Sequence, residues 1–214
     1  MIAPVKAILP TILLALGAAA AAAGIVYSRS EAHRPTPVPV PVPAAAQLPP
    51  GRIAITPAEL RKVYAEGLAD QPIKSILDVR APMQYGDFRW DDRGVPAGPT
   101  WIRVDLHSQL ISVFRSGHEI GTAVILYGTD GLRTPTGKFL ILAKLKDHVS
   151  VTYDNAPMPY TLRLTNDGVS IHGSNVRWGF ATHGCVGVPT PFAAKLFDAV
   201  KTGDEVLIVS GKTA

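Results

Sequence analysis

The chain has 214 residues, 47% of them apolar and only 18% charged, with 19 glycines and 19 prolines, so it is no disordered chain but one loop-rich, mainly β domain with extras. The net charge of +4 is concentrated in residues 1–54, where Lys6, Arg29, Arg34 and Arg52 oppose only Glu31; the nearly neutral remainder argues against a nucleic-acid surface. A single cysteine excludes an intrachain disulfide framework and a Cys-rich zinc site.

Lys6 is followed by an uncharged run from Ala7 to Val26, long enough as a helix to cross the ~30 Å hydrocarbon layer of a bilayer. Residues 1–30 read as an uncleaved signal anchor or as a signal peptide with Ala21-Ala22-Ala23 near the cleavage site. Either reading sends the rest of the chain to the periplasmic side of an inner membrane. Residues 31–54 form a Pro-rich linker: Pro35, Pro37, Pro39, Pro41 and Pro43 alternate with other residues, which forbids helix and sheet ladders and leaves extended polyproline II. The linker is a stiff spacer or an incidental disordered stretch.

Residues 55–99 read as a lead-in. Thr56-Pro57-Ala58-Glu59 spells an N-cap, a Pro at the first helical position and a capping-box acid. The periodicity predicts a helix to about Ala69 that buries Leu60, Val63, Tyr64 and Leu68, then an irregular segment with a short apolar run at 76–79. From Trp101 the pattern turns to strands. Ile102, Val104 and Leu106 alternate with Arg103 and Asp105, and segments at 110–114 and 119–126 complete an antiparallel meander. Further strands are predicted at 138–145, 149–153, 160–165, 169–172 and 205–209, and a helix from Thr190-Pro191 to a stop at Gly203. The sum is a mainly β fold, sandwich or barrel-like, with one late helix.

The chemistry is concentrated in 171–189. His172-Gly173-Ser174-Asn175 precedes Thr182-His183-Gly184-Cys185, and the chain's sole thiol lies between glycines and histidines in an exported setting. A thiol attacks as thiolate, and an imidazole can take its proton. Gly184 permits a sharp turn, so the backbone N–H groups of His183, Gly184 and Cys185 can converge on one oxyanion. The plain alternative is a buried, inert Cys185 with two structural histidines. A papain-like hydrolase is disfavoured because the nucleophile there precedes the histidine. A metal site is disfavoured for want of further ligands beside His172, His183 and Cys185.

This arrangement resembles the signature of the L,D-transpeptidases (the YkuD-type domain), in which His-Gly is followed by a spacer and Ser/Thr-His-Gly-Cys. The resemblance extends over residues 100–209 and includes the Thr134-Pro135-Thr136-Gly137 loop and the closing strand. It implies a cysteine acyltransferase without cofactor or metal that acts on peptidoglycan stem peptides in cell-wall organisation. Cys185 is then the nucleophile, His172 the general base and acid, and His183 a supporting residue. Tyr160, Arg163, Ser174 and Arg177 are candidate substrate contacts, each with a structural alternative. A hydrolase using the same thioester, such as an L,D-carboxypeptidase, and a silent wall-binding module are the competing readings. Two departures stand out. The family commonly has Arg where this chain has Gly187, with Arg177 a candidate replacement, and the loop 176–181, holding Trp178 and Phe180, is shorter than usual.

Overall fold

The computed structural model describes residues 48–129, 131–152 and 154–211. The predicted membrane segment, and the linker up to residue 47, lie outside the described residues. Among the described residues, no helix is long and apolar enough to cross a membrane.

The lead-in opens with β1 (Arg52–Ala54) and α1 (Pro57–Ala65). The capping box forms as the sequence predicts: the Thr56 hydroxyl accepts from Glu59 N, and the Glu59 carboxylate accepts from Thr56 N. The helix is shorter than expected. Gly67 adopts φ +67°, Gly67 N donates to Tyr64 O and Leu68 N to Val63 O, a Schellman stop that the left-handed freedom of glycine permits. No residue of α1 is fully buried; Leu60 and Val63 only pack against a small cluster of Ala69, Ile73, Trp101 and Phe114, and Tyr64 stays exposed.

The lead-in does not stay irregular. β2 (Ser75–Leu77) and β3 (Phe88–Trp90) both pair with β6 (His118–Val124), and β1 pairs with β2. With the predicted meander of β4 (Thr100–Asp105), β5 (Leu110–Arg115) and β6, they build an eight-stranded sheet. The other edge is added by β12 (Glu205–Val209), parallel to β4, and then β7 (Gly137–Leu140).

A second, four-stranded sheet runs β11-β10-β9-β8, with β8 (Ala143–Leu145), β9 (Thr161–Arg163), β10 (Ser170–Ser174) and β11 (Val186–Pro189). The single strand expected over 138–145 is therefore two. Ile141 N still donates to Asp204 O beside β12, but Leu142 N donates to Arg163 O, so the chain changes sheets between these residues. The strand expected at 149–153 pairs instead with its own returning limb. Met158 N donates to His148 O and Ser150 N to Ala156 O, so 146–150 and 156–160 are the two limbs of a hairpin arm, with Asp154 and Asn155 left-handed between them.

The core lies between the two sheets. Ile102, Val104, Ile111 and Val113 of the large sheet meet Leu162, Ile171, Val186 and Val188 of the small one, with Phe192 and Leu196 of α2 (Thr190–Ala199). The late helix stops at Ala199, before the predicted Gly203. Lys144 crosses to its end, where Nζ donates to Phe197 O and Val200 O at 2.5 Å, satisfying carbonyls that the helix leaves open.

Candidate active site

Strand alternation decides which side chains of the small sheet face away from the core. Ile171 and Val186 pair in register and are buried, so Ser170, His172 and Ser174 of β10, and Cys185 and Gly187 around β11, take the opposite face. β10 and β11 run parallel with His172 opposite Gly187, which sets Cys185 two positions before the residue facing His172. The sole thiol and the imidazole are thus diagonal neighbours on one face of adjacent strands. Arg163 joins the same face, because it pairs with Ser170 on one side and Ala143 on the other.

His172 is buried, and its Nδ1 lies 3.0 Å from Gly173 O. A carbonyl only accepts, so Nδ1 carries the proton and Nε2 keeps its lone pair. Burial holds the ring's pKa below its ordinary value, with His148 of the hairpin arm adding to the effect against the pull of the Gly173 carbonyl. The ring is consequently neutral at neutral pH. Cys185 is half-buried, and burial pushes its thiol pKa up while the Ser170 amide favours the thiolate. The sulfur lies 3.8 Å from Gly168 O. A protonated thiol and a neutral imidazole therefore share this face.

The loop that carries Cys185 is fastened by residues outside the predicted site. Thr182 Oγ1 donates to Cys185 O at 2.5 Å, and Thr134 Oγ1 reaches the same carbonyl at 3.4 Å. The Thr134 oxygen in turn accepts from Gly128 N at 2.9 Å. Gly184 sits at φ +106°, a conformation suited to glycine, and Gly128 is pressed against it: a Cβ at 128 would lie 2.8 Å from Gly184 Cα and 2.0 Å from Leu132 O. Only the Thr-Pro-x-Gly motif carries a sequence signal for Thr134. Nothing in the sequence marks Gly128 as the floor of the cysteine turn.

The other predicted residues are scattered. Tyr160 is not part of the strand; it stands at φ +57° with its ring edge-on to Phe197 of α2, 5.8 Å between centroids. Arg177 lies on the exposed loop, where Nε donates to Asn175 Oδ1 at 2.8 Å. His183 is exposed, and Trp178 and Phe180 stand out from the same loop at 81% and 61% exposure. Ser174 borders Gly187: a Cβ at 187 would lie 3.0 Å from Ser174 Cβ. A cavity of about 1010 Å³ lies elsewhere, between the lead-in and the outer face of the large sheet; Ile55, Val63, Met83 and Glu119 line it, and neither Cys185 nor His172 does. Among the described residues, no group of three or more metal-ligating side chains converges.

The family model of the YkuD L,D-transpeptidase catalytic domain matches residues 99–208. Among solved structures, the chain is 25% identical to an L,D-transpeptidase (Yku) from Stackebrandtia nassauensis, with a TM-score of 0.49 over 55% of this chain and 58% of that one. An L,D-transpeptidase from Mycobacterium tuberculosis H37Rv matches at 19% identity and TM-score 0.48, over 52% and 57%. A mutant of the Enterococcus faecium L,D-transpeptidase matches at 25% and 0.48, over 53% and 50%. The chain thus spans little more than half the length of these proteins. No curated protein matches it.

Proposed function

The chain belongs to the YkuD L,D-transpeptidase family, and from that premise we propose that it is a peptidoglycan L,D-transpeptidase working through a thioester on Cys185. The observation that carries the proposal is the placement of Cys185 and His172 on one face of adjacent parallel strands, with Nδ1 of His172 engaged by a carbonyl.

His172 Nε2 takes the Cys185 proton as sulfur attacks the carbonyl of the third residue of a tetrapeptide stem. The backbone N–H groups of His183, Gly184 and Cys185 receive the oxyanion on the glycine turn. The intermediate collapses as His172 returns the proton to the departing D-alanine nitrogen, which leaves a thioester. An acceptor amine then gives a proton to His172, attacks the thioester and expels the thiolate, which is reprotonated. A base of depressed pKa suits this cycle, because it stays neutral below the ordinary imidazole range. Residues 100–209 form the catalytic domain in this reading. The lead-in at 55–99 braces it, and the N-terminal segment and linker place it at the periplasmic face of the inner membrane.

Intact-mass measurement with a carbapenem tests the nucleophile: an adduct is expected on the wild-type chain and none on Cys185→Ala. Incubation with disaccharide-tetrapeptide tests the reaction. Cross-linked dimers with loss of D-alanine are expected, and His172→Ala should slow them by about 10²–10⁴-fold. Tripeptide alone would assign a carboxypeptidase. A folded wild-type chain with no adduct and no turnover would assign a silent wall-binding module.

A further inference from the structure

We propose that Arg163 selects the acyl donor by pairing with the free carboxylate of the residue expelled in the first half-reaction. This role rests on the reading of Cys185 as nucleophile and adds a specificity-determining residue to it.

Arg163 Nε is buried and has no hydrogen-bond partner, and among the described residues no carboxylate forms an ion pair with its guanidinium. Two other buried nitrogens lack partners, but each belongs to a group with other work. Trp101 stacks on Phe114 at 4.5 Å, and Arg115 reaches Asp92 through Nη2 at 3.4 Å. A buried donor without a partner costs about 1–3 kcal/mol, more for a charged group, so a cation of this kind is suited to an anion that arrives from outside.

The register says where that anion must sit. Ala143, Arg163 and Ser170 form one cross-strand row, and extending the parallel register by one residue brings Cys185 opposite Ser170. The Ser170 amide already acts on the sulfur, in keeping with that extension. Arg163 and Cys185 therefore stand two strands apart, about 10 Å between backbones, with the small Ser170 between them. A long guanidinium arm from one side and a substrate from the other meet over Ser170. The carboxylate of the leaving residue lies one residue past the attacked carbonyl, about 3.8 Å on by the Cα spacing. The opposite direction is closed. Leu126 exchanges backbone hydrogen bonds with Gly187 at 2.8 and 2.9 Å, and Gly128 is wedged against Gly184.

Two neighbouring cations are engaged elsewhere. Lys144 reaches the end of α2 on the core face, and Arg177 is held by Asn175 on the exposed loop. Gly187, where the resemblance leads one to expect Arg, has Ser174 Cβ and Leu126 Cβ at 3.0 and 3.5 Å from any Cβ, so no side chain fits there without displacing its neighbours. Bidentate pairing with a planar carboxylate is the chemistry for which a guanidinium is suited.

The test compares the full-length wild-type chain with Arg163→Gln and Arg163→Lys on two donors, disaccharide-tetrapeptide and the same compound ending in D-alaninamide. Initial rates are read by mass spectrometry. Iodoacetamide, a neutral reagent, monitors Cys185, and thermal melting monitors the fold. The wild type should prefer the free carboxylate by at least about 10-fold in kcat/KM. Arg163→Gln should lose that preference, chiefly through KM, with unchanged alkylation, and Arg163→Lys should keep part of it. A preference retained in Arg163→Gln overturns the proposal while leaving the transpeptidase reading intact. An effect that instead follows amidation of the diamino acid's own carboxylate overturns the placement. A wild-type chain that turns over neither donor and takes no carbapenem adduct sinks both.

Discussion

The outer faces of the two sheets differ in how they hold their charged and reactive groups. On the large sheet the buried charged groups have partners, although Trp101 Nε1 has none. Glu119, only 5% exposed, accepts from Leu77 N at 2.8 Å, and Arg103 donates to Leu68 O at 2.6 Å and to Asp105 at 2.8 Å. Arg52 spreads its guanidinium over the carbonyls of Glu119, Pro50 and Asp91. On the small sheet the Arg163 Nε is left open, and the thiol has a long contact to the Gly168 carbonyl beside the Ser170 amide. The difference teaches how to tell a brace from a site within one fold. Saturated charged groups lock the lead-in onto the large sheet, and the open Arg163 nitrogen is where the proposed carboxylate would complete the bonding.

The sharpest way to break this comparison is Gly128→Ala, because it attacks the support of the unsaturated face alone. The new Cβ meets Leu132 O and Gly184, so the cysteine turn must move. We expect a loss of about 3 kcal/mol in denaturant unfolding, together with loss of carbapenem acylation. A variant as stable and reactive as wild type would show that the turn is not fixed from below.

Next in size is Glu119 on the saturated face. Glu119→Ala strands the Leu77 N–H and should cost about 1–3 kcal/mol with the active-site chemistry unchanged. Glu119→Gln keeps an acceptor. Burial raises the carboxyl's pKa above its unfolded value, so its contribution is fully present below that unfolded value and is lost as pH rises through the folded one. Glu119→Gln should therefore gain stability relative to wild type as pH rises from about 4. A flat difference between the two across that range would contradict the assignment.

The smallest effect is on rates alone. With the thiol pKa raised, alkylation of Cys185 by iodoacetamide should climb with pH to a midpoint above the ordinary thiol value of about 8.5. With the His172 pKa lowered, the acid limb of turnover should fall below the ordinary imidazole value of about 6.5. A thiol that reacts at full rate near neutrality would mean a resting thiolate–imidazolium pair instead.

Much of the molecule is legible in local sequence. The capping box at Thr56, the alternation from Trp101 to Val124 and the spacing from His172 to Cys185 rest on neighbours a few residues apart, so residue types suffice to read them. The end of α1 escaped because a Schellman turn at Gly67 outweighed an apolar pattern that ran on to Leu68. The division of 138–145 into two strands escaped for a different reason. Ile141 and Leu142 are equally apolar, and only the positions of Asp204 and Arg163 determine which sheet each one joins.

The order of the amino acids was enough to give the strand-rich class and the family, and to nominate Cys185 and His172 as the reactive pair, because these depend on composition, period and short spacing. The tertiary structure alone decided that Arg163 shares a face with Cys185, that Gly128 props the turn and that Tyr160 leans toward the helix. Those relations join residues 20 to 60 positions apart along the chain. Strand register and backbone contact set them, and neither leaves a periodic trace in the order of the amino acids.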